Sequence, residues 1–87
     1  MNLQVMIANS LKSIYDFHDY EISKDKIIEL TRLIIEIRPN ITINEFENFI
    51  DGIKKGKFGI LYKMPTSIMS MFQKFNNELN KPEFIMP

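Results

Sequence analysis

Cysteine is absent from this 87-residue chain, so it can form neither a disulfide nor a thiolate metal site. Tryptophan is also absent, and His18 is the single histidine, so a zinc site would have to rest on carboxylates. Charge of one sign does not dominate either, since eleven Lys/Arg offset eleven Asp/Glu. That balance argues against a histone-like coat on nucleic acid and against an acidic mimic of DNA. No run approaches the roughly 20 apolar residues of a membrane span. The opening residues, MNLQVMIANSLKSIYD, have neither the basic start nor the small-residue cleavage site of a secretory signal. The expected location is the cytoplasm, with no membrane partner.

What is present is the composition of an ordinary soluble globular domain, with 45% apolar and 25% charged residues. The length allows one domain. Isoleucine occurs fifteen times, lysine nine and asparagine eight, whereas alanine and valine occur once each. The favoured residues share A/T-rich codons, so the abundance of isoleucine says little about strand.

Hydrophobic periodicity predicts four helices. From about Asn2 to Asp16, residues Leu3, Met6, Ile7, Leu11, Ile14 and Tyr15 recur three and four apart. Ser23 is placed to cap a second helix from Lys24 to about Arg38, where Pro39 stops it. Its line of Ile27, Leu30, Ile34 and Ile37, widened by Ile28, Leu33 and Ile35, predicts a central helix buried on most sides. Thr42 and Glu45 form a capping-box pattern, with Ile41 placed to staple onto Phe46. The third helix then runs to about Lys55, with Phe46, Phe49, Ile50 and Ile53 inward and Gly56 as its stop. In Gly56-Lys57-Phe58-Gly59-Ile60-Leu61-Tyr62-Lys63, the alternation of Phe58, Ile60 and Tyr62 predicts a turn and a short extended arm or hairpin. The fourth helix is expected from about Thr66 to Leu79 on a stripe of Ile68, Met69, Phe72, Phe75 and Leu79. The fold class expected is all-α: one compact four-helix domain over 1–81, with a Gly-rich arm between the third and fourth helices and an apolar tail over 82–87.

Charge is unevenly placed. Residues 1–51 carry five Lys/Arg and nine Asp/Glu, and residues 52–87 carry six and two. Between Gly52 and Asn77 there are five lysines and no acid. A basic arm with interleaved aromatics can hold phosphates and stack on bases, which makes Lys54, Lys55, Lys57, Phe58, Tyr62 and Lys63 candidates for weak contact with single-stranded nucleic acid. The competing reading is a solvated lysine face beside an ordinary core. The second and third helices have the spacing of a helix-turn-helix, but Glu45, Glu47 and Asp51 would repel DNA from the third. The glycines of K-G-K-F-G do not make a phosphate loop and read as backbone devices.

Nothing signals catalysis, a cofactor or a metal. His18 lies beside Asp16, Asp19 and Glu21 without a ligand pattern and reads as a surface histidine. No Gly-x-Ser-x-Gly surrounds any serine, and Glu45 and Glu47, two apart on a helix, point away from each other. Met71, off the fourth helical stripe, is expected to be exposed, and a Met/Phe surface adapts well to partners. With the tail residues Phe84, Ile85 and Met86 it forms the candidate partner-binding set.

Residues 27–79 carry a resemblance. The pattern is an apolar helix, an acid-and-Phe helix, then G-K-[FY]-G-x-[LI]-Y and a helix of the form I-x-x-[WMF]-[LF]-x-x-[YF]. It is matched by Phe46, Phe49, Gly56, Lys57, Phe58, Gly59, Leu61, Tyr62, Ile68, Met71, Phe72 and Phe75. In this the chain resembles small proteins of phages and mobile elements of Bacteroidetes-type bacteria, with a layout similar to phage helicase loader/inhibitor domains. It departs from the pattern in having Met71 where Trp is common and Asn76 after Phe75. The resemblance implies a non-enzymatic adaptor in a bacterial host cell that grips a replicative helicase. The alternatives are a small inhibitor of a host defence protein and a nucleic-acid-binding accessory protein.

Overall fold

A computed structural model of the chain describes residues 2–79. Four helices follow in order: α1 Leu3–Phe17, α2 Lys24–Ile37, α3 Ile43–Lys54 and α4 Pro65–Leu79. No strand occurs among the described residues. Each of the first three helices begins at a polar cap. Asn2 Oδ1 accepts from the Val5 N–H at 2.8 Å, and Ser23 Oγ accepts from the Lys26 N–H at 3.2 Å. At α3 the capping box forms in both directions. The Glu45 N–H donates to Thr42 Oγ1 and the Thr42 N–H donates to Glu45 Oε1, each at 3.1 Å.

The helices close a ring. Helix α1 packs against α2 and α3, and α4 packs against the same two from the other side. The pairs α1/α4 and α2/α3 lie across the ring without direct packing. This rules against the helix-turn-helix geometry, in which the two consecutive helices pack on each other. The core gathers Ile7, Leu11, Ile14 and Tyr15 from α1, Ile27, Leu30 and Ile34 from α2, and Phe46, Phe49, Ile50 and Ile53 from α3. From α4 it takes Ile68, Met71, Phe72 and Phe75. Phe49 is the hub of the aromatic part, with its ring centroid 5.2–5.6 Å from those of Phe46, Phe58, Phe72 and Phe75.

Two expectations are corrected. Helix α2 is not buried on most sides, because among the described helices it packs on α1 and α4 alone; Ile28 is exposed, and Leu33, Ile35 and Ile37 are half-buried. Met71 is 4% exposed, not a surface residue, and Leu79 is exposed instead. The buried set Ile68, Met71, Phe72, Phe75 is the i, i+3, i+4, i+7 face of one helix, so Met71 completes the stripe that Leu79 overshoots. The arm is a turn over 55–58 followed by irregular chain, and its inward residues are Phe58 and Leu61, three apart. The tail residues Phe84, Ile85 and Met86 lie outside the described residues. Among the described residues no helix is long and apolar enough to cross a membrane.

Candidate functional site

The segment between α3 and α4 is shaped first by the way α3 ends. Gly56 takes a left-handed φ of 78°. Its N–H bonds the Ile53 carbonyl at 3.0 Å, and the Lys57 N–H bonds the Gly52 carbonyl at 2.8 Å. This pair of bonds is a Schellman stop, which a glycine at that position permits without steric cost. The chain then folds back over α3. The Phe58 ring lies on Gly52, so close that a β-carbon there would fall 2.6 Å from Phe58 Cε2. Gly52 thus gives up helix propensity inside α3 to make room for an aromatic ring.

Beyond Phe58 the arm is pinned at three further points. Gly59, at φ 100°, turns the chain, and Leu61 buries its side chain in the core. The Leu61 carbonyl accepts from the Tyr20 hydroxyl at 3.0 Å, a contact across 41 positions. The Tyr62 N–H donates to Ser67 Oγ at 3.0 Å, and the Ser67 N–H donates to the Met64 carbonyl at 2.9 Å, which starts α4. Tyr20 is itself held by His18, whose ring stacks on it with centroids 5.7 Å apart. His18 Nδ1 faces the Ile14 carbonyl at 3.0 Å, so that nitrogen carries the proton and donates. His18 is therefore a half-buried supporting residue rather than a surface one. No three His, Asp or Glu side chains are arranged to hold a metal among the described residues.

The anchored arm presents the residues left between its pins. Ile60, Tyr62 and Met64 are 72%, 59% and 64% exposed. A groove of about 470 Å³ runs between them and α4, lined also by Phe58, Ser67, Ser70, Met71 and Lys74. A large exposed apolar side chain is unremarkable when single; three on one short pinned segment beside a groove form a patch.

The expected nucleic-acid set is only partly brought together. Phe58 is corrected outright: it is 6% exposed, committed to the core against Phe49 and Phe75, and unavailable to stack on a base. Lys54 sits 5.3 Å above the Phe17 ring, and Lys55 pairs with Asp51 at 2.9 Å. Lys57 reaches Glu78 at 3.8 Å. Only Tyr62 and Lys63 remain on the arm, with Lys74 across the groove. Ile60 and Met64 were missed in the sequence because the alternation put Ile60 on one face with Phe58, whereas Phe58 faces in and Ile60 out. Their signal was present: two large apolar residues in a loop opened by two glycines and closed by a proline. No protein-family model matches the chain, and no curated protein or solved structure matches it.

Proposed function

We propose that this protein is a non-catalytic protein-binding adaptor whose docking face is the arm 59–64 and the adjoining surface of α4. One observation carries the reading: Ile60, Tyr62 and Met64 stand in water on a segment that Phe58, Leu61, Tyr20 and Ser67 hold in place. A cluster of exposed apolar side chains points to an interaction site where scattered single ones do not. A pinned loop also loses little conformational entropy on binding, so more of the apolar burial goes into affinity. Withdrawing three large apolar side chains from water supplies about 1.5–3 kcal/mol each before those losses. The sequence resemblance supplies the first partner to look for, a replicative helicase, and the inhibitor alternative would use the same face against a host protein.

The test is affinity capture from the natural host with the full chain, the wild type beside Ile60→Asp. Ile60 is the most exposed of the three, so the aspartate is expected to leave the helical circular dichroism unchanged. A distinct protein retained by the wild type at moderate salt and at least about tenfold depleted with Ile60→Asp is the expected outcome. Identical captured sets from the two proteins, with both folded, would reject the arm as the docking face.

A further inference from the structure

We infer that the segment received by this face is acidic and apolar together: a short partner peptide that sets large apolar side chains between Ile60, Tyr62 and Met64 and carries carboxylates to Lys63 and Lys74. The inference rests on the adaptor reading and adds the chemistry of the partner.

Charge complementarity sets the chemistry of the partner. No acid occurs between Gly52 and Asn77. Of the five lysines there, Lys54 is over Phe17, Lys55 is on Asp51 and Lys57 is on Glu78. Lys54, Lys63 and Lys74 have no ion-pair partner among the described residues, and of these Lys63 and Lys74 lie on the arm and beside the groove. Lys74 lines the groove itself, and Lys63 stands between Tyr62 and Met64 on the arm. An apolar segment docking in the groove therefore meets the Lys74 ammonium, four residues before Glu78, whose carboxylate lies 3.8 Å from Lys57, with Lys63 exposed on the adjoining arm. A basic segment would be repelled and an acidic one drawn in and oriented. The groove follows α4 from Thr66 to Lys74, about 12 Å at 1.5 Å per residue, which suits two helical turns or about four extended residues. Met64, unbranched, polarizable and exposed, lets the wall adjust to different apolar side chains.

The same count weighs against a nucleic-acid strand. Such a strand is held by several phosphate contacts and by aromatic platforms. Here two unpaired lysines accompany three apolar residues, and Tyr62 is the only aromatic among them.

The experiment selects displayed random dodecapeptides on the immobilised full chain, then measures the enriched peptides by fluorescence anisotropy at low and moderate salt. The expected consensus is two or three large apolar residues flanked by Asp or Glu. Binding should weaken about tenfold for the Lys63→Gln/Lys74→Gln double variant and be lost for Ile60→Ser, with circular dichroism unchanged in both. Peptides without acidic preference that still depend on Ile60 would overturn the acidic chemistry and leave the adaptor reading standing. Enrichment indifferent to Ile60→Ser would overturn both. The acidic–apolar inference also falls if nothing enriches, or if an oligothymidine probe displaces the peptides and is itself lost with the two lysines. It falls equally if peptides bind only when Phe84, Ile85 and Met86 are replaced by serine, because the chain's own tail would then be the occupant.

Discussion

At the residue scale, Tyr15 is the buried side chain with the poorest polar environment. Its ring belongs to the core, edge-on to Tyr20 at 6.4 Å, and its hydroxyl has no hydrogen-bond partner among the described residues. Burial without a partner raises its pKa above the ordinary tyrosine value. A buried hydroxyl in that condition costs about 1–3 kcal/mol. Tyr15→Phe keeps the ring and removes the cost, so it is expected to stabilise the fold by about 1 kcal/mol at neutral pH, read as a higher urea midpoint at unchanged slope. The pH dependence has a definite sign. The folded state holds the phenolic proton more tightly than the unfolded chain, whose tyrosines ionise near pH 10. The contribution is intact below that pH and is lost as pH rises above it, because the unfolded state ionises first. The advantage of Tyr15→Phe should therefore widen above about pH 10. A constant gap between the two proteins from neutral to alkaline pH would contradict this.

At the scale of elements, the helices were legible because each rests on local signals. Ser23 caps α2, Thr42 and Glu45 box α3, and Gly56 stops it, all within a few residues of sequence. The arm was not legible, because what directs its side chains is distant in sequence: Tyr20 on the Leu61 carbonyl and Phe49 and Phe75 around Phe58. Two-residue alternation was a poor guide to a loop whose turns at Gly56 and Gly59 reset the phase. Of the candidate site, Tyr62 and Lys63 could be read from the chain; Met71 was misread from the stripe, and Ile60 and Met64 needed the long-range pins. Gly52 makes the coupling of arm to helix testable. Gly52→Ala gains about 1 kcal/mol of helix propensity but drives a methyl into the Phe58 ring, an overpacking cost of about 1–3 kcal/mol. A net loss of about 1 kcal/mol is expected in chemical denaturation. In a double-mutant cycle the shorter Phe58→Leu should relieve it, so that Gly52→Ala becomes neutral or stabilising in that background. A Gly52→Ala penalty unchanged by Phe58→Leu would show that the ring is not what the methyl meets.

At the scale of the whole molecule, a ring of four helices must hold together two pairs that do not touch. Helices α2 and α3 are consecutive in the chain but lie across the ring, and Arg38, at the end of α2, bridges that separation. Its Nη1 donates to Asn76 Oδ1 on α4 at 3.1 Å, and its Nη2 lies 3.5 Å from Glu45 Oε2 on α3. The Glu45 carboxylate serves two purposes at once: Oε1 closes the capping box while Oε2 meets the guanidinium. Both side chains are partly shielded from water, so the pair is less screened than one on the open surface. The ion pair of Lys12 with Asp16 is the internal control, shorter at 2.7 Å but more than half exposed and confined to one helix. Length alone would make the Lys12 pair the stronger. Burial and span reverse that order: Arg38→Ala is expected to cost about 1–3 kcal/mol, as for a lost charge-assisted hydrogen bond, and Lys12→Ala less than about 0.5 kcal/mol. Urea denaturation followed by circular dichroism measures both, and salt separates the terms, since high ionic strength should erase the Lys12 effect and leave most of the Arg38 effect. Equal losses from the two substitutions would mean that the ring is held by its apolar core alone and that Arg38 does not tie α2 to its neighbours.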